Sequence, residues 1–148
     1  MYIGLLHFHS FWRYVVLLLL VIAVVKSISG WVGKRAYASS DNKLSLFTVI
    51  ALHVQFLAGL FLYFISPYVK FSDFGSVMKN THDRFWTVEH TILMLAAVIL
   101  ITIGILSSKK TATDFARHKK TTIYFTIGLL LILLSIPWPF SNISRPWF

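Results

Sequence analysis

The sequence predicts an all-α integral membrane protein, a four-helix bundle running up-down-up-down as one domain over residues 1–148. Three observations predict it. Hydrophobic residues make up 57% of the chain and charged residues 13%, against about 45–50% and about 25% in soluble chains. Four apolar stretches are long enough to cross a bilayer, which takes roughly 20 residues of helix. The Lys and Arg residues gather in the connections between those stretches, and more on one side than on the other.

The first span runs from about Phe11 to Val32, and the apolar segment MYIGLLHFHS ahead of it allows an earlier start. No basic run precedes this span and no A-x-A site follows it, so it reads as a retained helix, not a cleaved signal peptide. A short polar connection, GKRAYASSDNK, leads to the second span, from about Leu44 to Ile65. The longest connection, SPYVKFSDFGSVMKNTHDR, has room for a short amphipathic turn before the third span, from about Phe85 to Leu106. The fourth span runs from about Thr121 to Pro137. Pro137 and Pro139 close it, because proline cannot continue the backbone ladder.

Basic residues give the orientation. The first and third connections hold Lys26, Lys34, Arg35 and Lys43, then Lys109, Lys110, Arg117, Lys119 and Lys120. The opposite side holds Lys70, Lys79, Arg84 and Arg145. The nine-to-four bias places the first side in the cytoplasm and both termini away from it. Aromatic residues mark the outer rim: Phe8, Phe11, Trp12, Phe85, Trp86, Trp138, Phe140 and Trp147. The net charge of +9 sits in short loops with no nucleic-acid pattern, so no nucleic-acid partner is expected and membrane lipid is. There is no cysteine, which excludes disulfides, thiolate metal sites and covalent haem attachment. H-E-x-x-H spacing and Gly-rich phosphate loops are also missing from the sequence.

The chemistry lies in the histidines. His9, His53, His90 and His118 fall one per span, and ionisable residues inside a membrane are functional-site candidates. One imidazole per helix suits a haem protein, in which each iron takes two axial ligands from facing helices. At 1.5 Å per residue, His9 and His90 lie about 35 and about 24 Å above the cytoplasmic edge, His53 about 14 Å above it, and His118 slightly below. The expected pairs are therefore His9 with His90 and His53 with His118, on the two diagonals of the bundle. A single haem between His53 and His90 is the competing geometry. Arg13, one turn from His9 on the same face, is placed to pair a haem propionate.

Plainer readings stand beside these. Small residues such as Ala51, Ala58, Gly59, Ala96, Ala97 and Gly128 also serve helix packing. Arg13 also suits snorkelling to the headgroups, and His118, within RHKK, suits a solvated basic loop. His7 and His82 read as interfacial. Glu89 can accept a hydrogen bond from a nearby His or Arg, or relay a proton.

HFHSFWR, LHVQFLAGLFLYFISP, RFWTVEH and ARHKK together resemble a family of small four-span bacterial membrane proteins labelled cytochrome b. The likeness covers nearly the whole chain. The histidine arrangement is also similar to that of the ascorbate-reducible transmembrane cytochromes b, which hold two haems on four core helices. The resemblance implies axial ligation by His9, His53, His90 and His118, one or two b-type haems, and a place in the bacterial inner membrane. The leading expectation is thus electron transfer from a quinol or other donor to an acceptor, alone or as a component of an oxidoreductase. Partners would be quinone, other membrane subunits or a second copy. The alternatives are a haem-free accessory or scaffold subunit with hydrogen-bonded histidines, and a proton-linked carrier using His53 and Glu89.

Overall fold

The computed structural model describes residues 1–143, which form helices joined by short loops, with no strand among them. Arg145 and Trp147, counted above for orientation and for the rim, lie outside the described residues.

Helix α1 spans Tyr2–Val32. It begins well before the expected Phe11, because the apolar MYIGLLHFHS segment holds no proline and a single glycine, Gly4, which the helix tolerates. It ends where Gly33 N–H donates to Ser29 O at 2.9 Å and Lys34 turns into the left-handed region at φ 48°. Helix α2 spans Ser39–Ile65. Asp41 organises its start: Oδ2 accepts from the Ala38 backbone N–H at 2.9 Å, satisfying an amide that the helix leaves orphaned. The same carboxylate takes both guanidinium arms of Arg35, at 2.9 and 3.0 Å, and lies 3.2 Å from Lys26 Nζ on α1. That pairing raises the Arg35 pKa through the hydrogen bond to Asp41. Asp41 is buried, whereas both cations are more than a third exposed. Asp41→Ala therefore costs about 2–3 kcal/mol, from the lost cap and a partly screened ion pair. A fall in the thermal midpoint of the detergent-solubilised protein would register it, and an unchanged midpoint would contradict this account of the turn.

The second connection carries two short helices, α3 at Phe74–Lys79 and α4 at Thr81–Arg84. Asp73 and Asn80 cap them by accepting from Ser76 N and Asp83 N. A π-helical turn, Phe85–Glu89, leads directly into α5, His90–Lys109. Helix α6 spans Asp114–Ser135, capped by Thr113 Oγ1 on Ala116 N.

Contacts between α1 and α2 advance along one helix as they retreat along the other: Gln55 with His9, Trp12 with Ala51, Thr48 with Leu19, Lys26 with Asp41. The pair α5 and α6 behaves likewise, from His90 with Ser135 to Lys120 with Ser107. Helix α1 also packs along α6, while α2 and α5 meet along a thinner seam. Val16, Leu20, Leu52, Ile101, Phe125 and Ile132 form the centre of the shared core. Gly128 is a packing position: Ile101 of α5 occupies the space a side chain there would need.

Among the described residues three helical stretches are long and apolar enough to cross a membrane: Tyr2–Val32, Ser39–Ile65 and Thr81–Lys109. The expected fourth span corresponds to α6. It starts at Asp114, and its first two turns carry Arg117, His118, Lys119 and Lys120, which lower its hydropathy below that of the other three. The outer surface is apolar: Leu18, Val25, Phe47, Phe61, Leu106 and Leu134 are each more than half exposed. Water-soluble monomers rarely present large continuous apolar patches.

Candidate functional site

At the end opposite the Asp41 cluster, the helices enclose a cavity of about 1000 Å³, open mouth included, lined by His9 and Arg13 of α1, Gln55 and Gly59 of α2, and His90 and Met94 of α5. A second lobe of about 660 Å³ lies against the α2–α5 seam, walled by Phe56, Leu60, Leu95 and Val98. His9 and His90 line both lobes. Their helices are not lateral neighbours, since α1 packs on α2 and α6.

The local sequence sets each group. His9 lies on Gly59: a Cβ there would come within 3.0 Å of His9 Cε1, so the missing side chain makes the ring's place. Arg13 follows one turn later on the same face, its Nη2 donating to Tyr14 OH at 3.0 Å. His90 opens α5 directly after the π-turn, a distortion that recurs at functional sites. Its Nδ1–H donates to Ser135 O of α6 at 2.8 Å. A carbonyl only accepts, so Nδ1 carries the proton and Nε2 is the lone-pair nitrogen of the neutral ring. Trp86 and Phe85 flank the imidazole, with centroids at 5.7 and 5.8 Å. Over the mouth, Tyr63 OH donates to Thr87 O and Lys70 N to Thr87 Oγ1, both at 3.1 Å.

The other two candidate histidines lie elsewhere. His53 Nδ1 donates to Val49 O of its own helix at 2.7 Å, and its side chain lines neither lobe. It does share the helical stripe of Phe56 and Leu60, three and seven residues on. His118 is at the basic end, 0% exposed, pressed on Gly30 with its ring 4.8 Å from that of Tyr37. Neither of its ring nitrogens is hydrogen-bonded to a described residue. His118 is therefore not a solvated loop residue, because α6 begins before it and carries it inward. The structure places His9 and His90 on the wall of one cavity and does not bring His53 to His118: His53 lies about 18 Å beyond Asp41 along α2. Glu89 accepts from Arg84 Nε at 2.6 Å. His7 and His82 are exposed.

Sequence reasoning missed Gln55. It is 9% exposed, lines both lobes, and donates from Nε2 to His9 O at 2.9 Å. The signal was available, since Gln55 is as isolated among apolar residues of TVIALHVQFLAG as His53 is.

Among the described residues no group of three or more His, Cys, Asp or Glu side chains is placed to hold a metal ion. Among the described residues the protein is all-helical, with three helices of membrane-crossing length and a two-lobed cavity. No family model matches the chain, and no curated protein and no solved structure is similar to it.

Proposed function

We propose that this chain is an up-down-up-down four-helix bundle of the bacterial inner membrane that binds haem b without covalent attachment and passes electrons between a donor and an acceptor. The observation that carries the reading is the convergence of His9 and His90, from helices that are not lateral neighbours, on one cavity of about 1000 Å³. The residues fit the group. An axial imidazole is usually held by a hydrogen bond from its other nitrogen, as Ser135 O holds His90. Gly59 gives the His9 ring its place, and Arg13 supplies a cation for a propionate. Two imidazoles suffice for a haem, so a cluster of three ligating side chains is not required. The iron, when bound, supplies one-electron redox chemistry. The protein orients the ligands, excludes water and compensates charge.

Absorption spectra of the purified protein, oxidised and reduced, test the reading. A six-coordinate low-spin haem b spectrum is expected, and a colourless protein from haem-replete cells would overturn it. The haem-free accessory subunit is then the reading that gains, since the His90 bond to α6 is also what a purely structural interhelical histidine makes.

The cytoplasmic assignment of the basic end has its own support. Arg117 donates to Asn42 Oδ1 at 3.2 Å, and Lys119 lies over the Trp31 ring. The first and third connections therefore meet at one end. Reporter fusions at Tyr37 and Thr113 should both behave as cytoplasmic, and the opposite result at both would reverse the topology.

A further inference from the structure

We infer that the connection after α2 is a lipid-docking strap: residues 66–80 lie in the headgroup–acyl boundary of the leaflet at the cavity end, with Phe71, Phe74 and Met78 immersed. Phe71 and Phe74 are each more than half exposed and Met78 is exposed, while across residues 71–80 Val77 alone is buried. Single exposed apolar side chains are ordinary, but a contiguous group marks an interaction surface. Here the group continues a longer one. Phe47, Ile50, Leu57, Phe61 and Phe64 run as an exposed apolar stripe up α2. Phe71 folds back onto the top of that stripe, stacked on Phe64 with ring centroids 6.4 Å apart and planes at 11°. Its ring also meets Tyr63 edge-on at 5.5 Å. The strap therefore returns to the level of the last turn of α2 and does not project beyond it into water.

Helix α3 has the matching pattern. Phe74 and Met78, four residues apart, share one face, and Ser76, two residues from each, lies on the opposite one. Lys70 and Lys79 are exposed near the two ends of the strap. Their aliphatic stems suit an apolar surface and their ammonium groups suit lipid phosphates. Amphipathic segments of this kind bury their apolar face about 5–10 Å into the boundary layer. The other side of the strap faces protein. Ser66 and Val69 line the larger lobe of the cavity, and Lys70 N–H donates to Thr87 Oγ1 at 3.1 Å. The strap thus stands between the cavity mouth and the leaflet. The bilayer is the occupant the stripe selects, because lipid that covers Phe61 and Phe64 meets Phe71 next and needs no further partner to cover it.

The strap assignment rests on the reading that the chain spans a membrane, and it is independent of haem. The chain contains no cysteine, so Phe74→Cys, Met78→Cys and Ser76→Cys each allow one nitroxide label on the full chain. Leu18→Cys, on the exposed face of α1, supplies a reference label within a span. The labelled proteins are reconstituted in vesicles of phosphatidylethanolamine and phosphatidylglycerol. Electron paramagnetic resonance then compares relaxation of each label by oxygen, which concentrates in lipid, with relaxation by a water-soluble nickel chelate. Labels at residues 74 and 78 should favour oxygen severalfold more than the label at residue 76, and should report depths of about 5–10 Å below the phosphates. Nickel reaching residues 74 and 78 as readily as residue 76 overturns the assignment. Exclusion of both reagents from residues 74 and 78 overturns it in favour of a protein contact, a second copy of the chain. Oxygen preference at residue 76 as strong as at its neighbours overturns the one-sided placement. Residues 74 and 78 share a face, so either label decides if the other variant does not fold. A label at residue 18 that favours nickel removes the membrane reading itself, whereas one that favours oxygen beside water-exposed labels at 74 and 78 removes the strap alone.

Discussion

His9→Ala and His90→Ala should each abolish the low-spin haem spectrum, while His53→Ala and His118→Ala should leave it nearly intact. Six-coordination needs two axial imidazoles, and only His9 and His90 of the four converge on one cavity. The two losses should differ in kind. Removing His90 also breaks its bond to Ser135 O and so loosens α5 from α6. Removing His9 leaves the Gln55 bond in place, because that bond uses the His9 backbone carbonyl. His9→Ala should therefore keep the protein folded with haem lost or high-spin, and His90→Ala should lower the thermal midpoint as well. Added imidazole should restore a low-spin spectrum to His9→Ala, since Ala opens space for it against Gly59. If His53→Ala strips the haem and His9→Ala does not, the ligand pair is His53 with His90 across the α2–α5 seam.

Much of this arrangement was legible in the residues, and what was not has physical causes. The apolar runs marked the long helices because an apolar run of that length, removed from water, must satisfy its backbone polar groups internally, as a helix does. Their starts were placed late at α1 and α6, because hydropathy finds where a helix enters apolar surroundings and not where it begins. The Asp114 and Lys119–Lys120 turn is helix with charges on it. That difference carried His118 from an expected basic loop into the interior. Depth arithmetic paired His9 with His90 because both lie far from the basic end. The same arithmetic could not see that Gly30 draws His118 beyond the reach of His53. The π-turn at Phe85–Glu89 depends on tertiary contacts around Thr87 and leaves no local pattern to read. Gln55 was overlooked because attention to titratable groups passes over a neutral amide. In an apolar span a fixed amide is as costly to leave unmatched as an imidazole.

Gly30→Ala should be among the most damaging single-atom-scale changes in the chain, and Gly4→Ala should be harmless or mildly stabilising. Both glycines lie in α1, where exchange for Ala ordinarily gains about 0.5–1 kcal/mol from backbone entropy. Nothing stands within 4 Å of a Cβ built at Gly4. At Gly30 a Cβ would fall on the His118 ring, too close to Cε1, Nδ1 and Nε2 at once. The ring has nowhere to retreat: it is fully buried, and Tyr37 lies against it, held under the Arg117 guanidinium at 4.1 Å. One helix must move, and overpacking of this kind costs about 1–3 kcal/mol or more. The net effect opposes the entropic gain and should appear as a lowered thermal midpoint in detergent. Adding His118→Ala should return most of the loss, because it removes the atoms that collide. The coupling between the two sites should then be about 1–3 kcal/mol, as for residues in direct contact. Equal midpoints for Gly30→Ala and Gly4→Ala would mean that α1 and α6 do not meet at this point, and would remove the basis for placing His118 in the interior.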